Sequence, residues 1–343
     1  MEPNVKDGYG GMRESNMLFW FANIIYGTSN LKDLIGKVYT ENEYRKYRAA
    51  LEFIFQVRNA LHVIAKKKLD QVNFDILPEL STKLKFNNSE RVTKDRQCMS
   101  KLLESLHIIH RFTTIMSKKI VRHIVYEKQN ISLLKKHRHS KNLYIYKNKL
   151  FSSFFRKPTT LNKFLKELVM LPSDILEFDR AYIYYASNSK LPNSHTDELK
   201  KTIKAILYKD NLSAITKLLY NAGLFVAVLP LMKKITNQPQ FDGYHQHPVD
   251  IHSIKTVWHI ENITDPFIKD IYDNLNSREK RLTKIVALFH DAGKGRGGDH
   301  HIVGEKIFKN LAESLSFDTL DTQLGAKLVK YHNKLSQVAT NEA

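Results

Sequence analysis

Along most of this chain apolar residues recur three and four positions apart, the spacing of helices with one buried face. Met17–Ile25 (MLFWFANII) reads as a buried helix. Thr40 followed by Glu43 is a capping-box pattern, and it opens a long helix in which Tyr47, Leu51, Ile54, Arg58, Leu61 and Ala65 keep helical spacing. Leu102, Leu106, Ile109, Thr113 and Met116 mark another. The pattern changes at Tyr144-Ile-Tyr-Lys-Asn-Lys-Leu-Phe151, where two short apolar runs flank Lys-Asn-Lys as in a small β-hairpin. Pro158 then permits a helix start, and the spacing predicts a helix over Thr159–Leu168. Leu212–Val228 reads as helical again. Asn237-Gln-Pro-Gln240 interrupts the pattern and sets a domain boundary, after which helices continue. The clearest of these is Arg281–Asp291, stopped by Gly293. No repeat of 20–50 residues is visible.

Composition sharpens this picture. The 343 residues are enough for two or three domains, and 42% of them are hydrophobic, so a core can form. Gly (13) and Pro (9) are scarce, which favours helix over an all-β design. No run of about 18 apolar residues predicts a membrane span. Met1–Asp7 is polar and lacks the basic-then-apolar pattern of a signal segment. The single cysteine, Cys98, can form no internal disulfide and fits a reducing cytoplasm.

The net charge of +19 is unevenly placed: Lys118 to Lys166 holds fourteen lysines and arginines against one acid, Glu127. Such a stretch can attract nucleic acid, nucleotide or an acidic protein, or it can simply solvate a surface. The expectation is a solvated face without a specific nucleic-acid site. Its aromatics, Tyr144, Tyr146, Phe151, Phe154 and Phe155, are expected mostly to pack inward and leave no stacking platform.

The chemistry lies near the end of the chain. Eight of the fifteen histidines follow position 244: His245, His247, His252, His259, His290, His300, His301 and His332. His290–Asp291 closes the apolar helix Ile285-Val-Ala-Leu-Phe289. Neighbouring helical side chains point about 100° apart, so an ion at the helix end can sit between imidazole and carboxylate. That donor pair suits Mn, Fe or Zn and, less well, Mg. His252 and Asp250 fall one helix earlier, His300 on the loop after the Gly-rich turn, and His332 on the last helix. Gly293-Lys-Gly-Arg-Gly-Gly298 is flexible and cationic; its amides, Lys294 and Arg296 can hold phosphate oxygens. A metal beside phosphate-binding groups suggests hydrolysis by an activated water, which needs no protein nucleophile.

Phe241-Asp-Gly-Tyr-His-Gln-His-Pro-Val-Asp-Ile-His252 and Ala287-Leu-Phe-His-Asp-Ala-Gly-Lys-Gly-Arg-Gly-Gly-Asp-His300 resemble the HD superfamily of phosphohydrolases. More closely, they resemble the bacterial PII uridylyltransferase/uridylyl-removing enzyme family. Glu2-Pro-Asn-Val-Lys-Asp-Gly-Tyr-Gly-Gly-Met-Arg13 looks like the motif that ends that family's nucleotidyltransferase domain. Arg58-Asn-Ala-Leu-His62, with Asp70 and Phe74-Asp75, looks like its helical linker. In that family a nucleotidyltransferase, a helical linker, an HD domain and two ACT domains follow one another. The first adds UMP to a tyrosine of the PII signalling protein, the HD domain hydrolyses it off, and the ACT part senses glutamine. The resemblance places His252, His290, Asp291, His300 and His332 on the HD metal positions, and Lys294 and Arg296 on the catalytic cationic turn.

The resemblance implies a mainly α fold: a tail of a nucleotidyltransferase domain over 1–15, a helical linker domain over 16–235 and an all-helical HD-type domain over 236–343, with one small β-hairpin near 143–151. Arg58, Asn59 and His62 are then structural. The transferase's Gly-Ser turn and paired aspartates are not found; Gly27-Thr-Ser29 has no following Asp-x-Asp. The chain is expected to begin after that catalytic part. It stops eleven residues past His332, with Ala343 near where the family's closing HD aspartate stands, so a truncated HD domain with a weakened metal site is expected. The implied function is metal-dependent removal of UMP from PII in the cytoplasm. The alternatives are a folded but inactive regulatory fragment, or an HD hydrolase of nucleotides or nucleic acid.

Overall fold

Helix periodicity and caps set out most of the architecture. The computed structural model describes residues 2–87, 91–125, 136–153, 156–241 and 246–339. Phe154, Phe155, His245 and Ala343, together with the Asp-Gly-Tyr-His stretch of the motif before His252, lie outside them. The fold is mainly helical with one small sheet.

Helix α1 spans Met12–Tyr26 and α2 spans Glu41–Ala65. The capping box forms: Thr40 N donates to Glu43 Oε2 (2.7 Å) and Glu43 N donates to Thr40 Oγ1 (3.3 Å). Tyr47, Leu51, Ile54 and Leu61 are buried along α2, as their spacing requires. After α3 (Leu77–Lys83), the long α4 (Arg91–Val125) packs against α1, α2 and α3, with Leu102, Leu106, Ile109, Thr113 and Met116 inward. Helix α1 differs from its reading as a buried element. Only Ser15, Leu18 and Ala22 are buried, while Trp20 is 61% and Ile24 78% exposed. The segment is apolar on both faces, so sequence could not tell which face meets α4.

The hairpin is present and extended at both edges. Strands β1 (Arg138–Ser140), β2 (Leu143–Tyr146), β3 (Lys149–Ser152) and β4 (Glu177–Phe178) form one sheet in the order β1-β2-β3-β4. Strands β2 and β3 are antiparallel, with Tyr146 opposite Lys149, and the turn residues Lys147 and Asn148 both have positive φ (46° and 57°). That is the twist a two-residue hairpin turn favours. The inward side chains are Leu143 and Leu150; Tyr144 and Phe151 are half-buried, and Tyr146 is exposed beside His137.

Helices α5 (Leu161–Met170), α6 (Arg180–Ser187), α7 (Asp197–Leu207) and α8 (Leu212–Ala222) follow. The helix expected over Leu212–Val228 is two: Gly223 takes a left-handed cap (φ 73°), and Phe225–Val228 forms the separate short α9. The basic stretch is partly neutralised by acids that lie beyond it in sequence. Arg156 pairs with Glu167, Lys149 with Glu177 and Lys166 with Glu198, while Lys119 donates to the Val38 carbonyl and Tyr184.

The last part comprises α10 (Val249–Glu261), α11 (Pro266–Asp273), α12 (Ser277–Phe289), α13 (His300–Ser314), α14 (Thr319–Tyr331) and α15 (Lys334–Ala339). Helices α10, α12, α13 and α14 pack on one another, and α10 also packs on α8. One apolar core therefore runs through both sides of the break at Asn237–Gln240. Lys284 of α12 is almost wholly enclosed; its ammonium donates to the carbonyls of Lys209 (3.0 Å) and Asp210 (3.1 Å).

Candidate metal centre

Helix α12 delivers its C-terminus to the site. It starts on a capping box between Asn276 and Glu279 and buries Leu282, Ile285, Val286, Leu288 and Phe289, so its end is held rigidly in the core. His290 and Asp291 continue it as a turn. Gly293 stops nothing by a left-handed twist: its φ is not positive, unlike those of Gly295, Gly297 and Gly298. Its role is close approach. A Cβ there would lie 2.0 Å from the His300 carbonyl oxygen.

His252 enters from the first turns of α10. Asp250, two residues before it, is fully buried and accepts from the backbone amides of Asn237 (2.9 Å) and Ile251 (2.9 Å). It therefore ties the start of α10 to the preceding turn and is not turned toward the histidines. Burial pushes its carboxyl up to about 6.

The resulting distances are short. His290 Nε2 lies 3.2 Å from His252 Nε2 and 3.2 Å from Asp291 Oδ2, and His252 Nε2 lies 3.8 Å from the same oxygen. Two donors bound to one tetrahedral ion at roughly 2.0–2.1 Å stand about 3.3 Å apart. This triad is therefore spaced for a single divalent cation. His290 Nδ1 donates to the Ala287 carbonyl (2.7 Å), which leaves its Nε2 as a lone pair facing the triad. Burial alone would raise the Asp291 carboxyl. The adjacent His290 ring and the Lys294 ammonium outweigh it and hold Asp291 well below the usual carboxylate range.

His332 stands at the C-cap of α14, with Nδ1 on the Val329 carbonyl (2.7 Å) and Nε2 3.7 Å from Asp291 Oδ1. The Asp291 carboxylate thus turns one oxygen to His252 and His290 and the other to His332. His300 is the first residue of α13, not a loop residue, and its ring is 6.0 Å from that of His332. His301 joins them, with ring centroids 3.9 Å from His300 and 5.0 Å from His332. The sequence marks His301 only as one of the histidines after position 244. The available signal was an adjacent pair of histidines behind a helix-capping Asp299. Burial lowers the His300 imidazole and brings His332 down to about 4, so both are neutral bases at pH 7.

The cationic turn divides. Lys294 Nζ bonds Asp291 Oδ2 (2.8 Å) and Gln240 Oε1 (2.7 Å), at the heart of the cluster. Arg296 does not join it: the guanidinium donates to the backbone carbonyls of Ala292 and Leu231 and braces the turn. His247 faces Lys255, and His259 is exposed.

The imidazole–carboxylate pair at the end of α12, met by His252 of α10, lies within residues 249–343, which match the HD domain family model. Residues 1–117 match the family model described as GlnD PII-uridylyltransferase. Over 99% of its length the chain is 24% identical to the bifunctional uridylyltransferase/uridylyl-removing enzyme of Bradyrhizobium sp. (strain ORS 278), covering 39% of that protein. It is 24% identical to the same enzyme of Bradyrhizobium diazoefficiens, covering 39% of it, and 25% identical to that of Rhodospirillum rubrum, covering 38%. The chain is a homologue, along nearly its whole length, of bifunctional uridylyltransferase/uridylyl-removing enzymes, and it carries an HD domain. It spans about two-fifths of the length of the curated relatives it matches. No helix among the described residues is long and apolar enough to cross a membrane.

Proposed function

We propose that this chain carries the uridylyl-removing part of such an enzyme: divalent-metal-dependent hydrolysis of the phosphodiester that joins UMP to a tyrosine of the PII signalling protein, in the cytoplasm. The observation that supports it most is the convergence of His252, His290 and Asp291, from two helices, at the spacing of one ion's donors. In this reading 1–15 is the tail of a nucleotidyltransferase domain, 16–235 the helical linker and 236–343 the HD domain.

His252, His290 and Asp291 would hold the ion, with His300 and His332 on the side of Asp291 Oδ1. Manganese, iron and zinc suit the donors, and magnesium suits them less well. When bound, the ion supplies Lewis acidity and a water acidified enough to attack phosphorus near neutral pH. The chain's own part is preorganisation. The Ala287 and Val329 carbonyls fix which nitrogen of His290 and His332 faces inward. Lys294, beside His290, helps keep Asp291 ionised and would offer its ammonium to a phosphate oxygen as charge builds on it. Arg296 holds the Gly-rich turn in place.

The test is release of UMP from uridylylated PII with added Mn²⁺. The wild-type chain should release it, and Asp291→Asn and His290→Ala should lose at least about tenfold in rate, the smaller loss seen when even a ligand's supporting partner is removed. Hydrolysis of bis-p-nitrophenyl phosphate without release from PII would make the chain a phosphodiesterase of another substrate. Full activity in Asp291→Asn would refute the site.

A further inference from the structure

The break at Asn237–Gln240 reaches into the metal centre. Gln240 is almost wholly enclosed, 6% exposed. Its Nε2 donates to the His247 carbonyl (3.2 Å), which turns Oε1 toward Lys294 Nζ at 2.7 Å. Gln238 lies against the same turn. A Cβ on Gly295 would stand 2.4 Å from its Oε1, and its carbonyl accepts from the Val249 amide at the start of α10 (3.0 Å). The segment 238–240 therefore straps the Gly-rich turn to the helix that carries His252.

The Lys294 ammonium has two acceptors with different fates. Asp291 Oδ2, 2.8 Å away, is the oxygen that also faces His290 and His252. With a divalent ion in that triad, this oxygen is shared between two cations that repel each other, so the Lys294–Asp291 contact weakens. Gln240 Oε1 lies outside the triad and keeps its hold. It is also neutral. A carboxylate in its place would hold the ammonium and cancel its charge, whereas an amide oxygen holds it and leaves the charge for a phosphate oxygen. We propose that Gln240 is a positioning residue for the cation at Lys294: its side-chain oxygen keeps the ammonium beside the triad, off Asp291 Oδ2 and undiminished in charge, where a phosphate oxygen can meet it. The Lys294 side chain is 23% exposed, so that meeting is open. The proposal rests on the reading of the triad as the ion's site.

Binding of Mn²⁺ and of inorganic phosphate to the full chain tests it without turnover. Electron paramagnetic resonance of the free ion reads the first, and ³¹P line broadening on the Mn²⁺-loaded chain reads the second. Gln240→Leu returns Lys294 to Asp291 Oδ2 in competition with the ion, and should weaken Mn²⁺ binding by roughly tenfold or more, the loss typical when a ligand's supporting partner is removed. In a Lys294→Met background the same change should leave Mn²⁺ affinity unaltered. Gln240→Glu should bind Mn²⁺ at least as tightly as wild type, yet bind phosphate roughly tenfold more weakly, the worth of one hydrogen bond to a charged group. An equal loss of Mn²⁺ affinity in both backgrounds would make Gln240 purely structural and overturn the proposal. So would no loss in either background, or undiminished phosphate binding in Gln240→Glu. Mn²⁺ binding that is absent from wild type, or that survives Asp291→Asn unaltered, would instead refute the reading of the triad.

Discussion

Replacing Gly293 by alanine attacks the site through packing alone. The added Cβ would lie 2.0 Å from the His300 carbonyl oxygen and 2.7 Å from the Gly304 amide nitrogen. Ordinary heavy-atom contacts begin near roughly 3.5 Å, so the first turn of α13 must retreat by about 1–1.5 Å. Both obstructing atoms are backbone, and neither can swing aside as a side-chain tip could. Overpacking of this kind costs about 1–3 kcal/mol, occasionally more, and the backbone obstruction puts Gly293→Ala at the upper end. At roughly 2–4 °C per kcal/mol for a chain of this size, the melting temperature should fall by about 6–12 °C. Gly297→Ala is the control: nothing lies within 4 Å of its Cβ, and only its φ of 75° resists the change. That strain is worth about 1–2 kcal/mol. Because His300 rides on the displaced turn, Gly293→Ala should also weaken divalent-metal binding, and Gly297→Ala should not. Thermal melting by circular dichroism decides the matter. Equal melting temperatures for the two variants would show that α13 does not approach Gly293 as closely as described.

Three further outcomes are expected. Asp70 accepts from Arg58 Nε (2.6 Å) and lies 3.4 Å from His62 Nε2, so Asp70→Ala should cost about 1–3 kcal/mol; a double-mutant cycle with Arg58→Ala that proves additive would show the pair to be uncoupled. His107 is brought down to about 3, first by burial and then by Arg111 and His110, within a cluster that also holds Tyr9, Glu14 and Tyr220. The unfolded imidazole protonates near 6.5 and the folded one only near 3, so the unfolded state binds the extra proton between them and stability falls as pH drops through that window; His107→Gln should flatten the decline in melting temperature from pH 7 to pH 5, and an unchanged slope would assign it elsewhere. Burial pushes the Cys98 thiol up to about 12, so it should resist alkylation at pH 8 until the chain is unfolded; rapid labelling of the native protein would contradict its enclosure.

Local signals in the sequence carried far where the physics is local. The Thr40–Glu43 box, the buried stripe of α2 and the Lys-Asn turn of the hairpin all depend on residues within one or two turns of each other. What was not legible depends on distant partners. Strand β4 is two residues long and joins β3 only because α5 returns the chain beside it. The fourteen cations of the basic stretch looked nearly unopposed because Glu167, Glu177 and Glu198 lie outside it in sequence. In the site, His290 and Asp291 stood out because they are adjacent. His301 did not, since its meaning comes from His332, a whole helix pair away. Arg296 shows the converse: a cation in a suggestive motif whose hydrogen bonds go to the backbone.

Lys284 bears on which stretch of this protein could be exchanged as a module. Its ammonium is satisfied by the carbonyls of Lys209 and Asp210, and Glu261 of α10 accepts from the Ser213 amide of α8 (3.2 Å). A cut at the sequence break near 236 would strip the lysine of its acceptors and bare the face of α8 that α10 covers. Grafting 236–343 onto a foreign scaffold should therefore yield an insoluble product, whereas a graft that begins ahead of α7 keeps the lysine's acceptors and the α8–α10 contact but opens the packing of α7 on α5 and of α8 on α6. Recombination between relatives would be constrained in the same way, with crossovers disfavoured at the proline-containing break that looks like the natural joint.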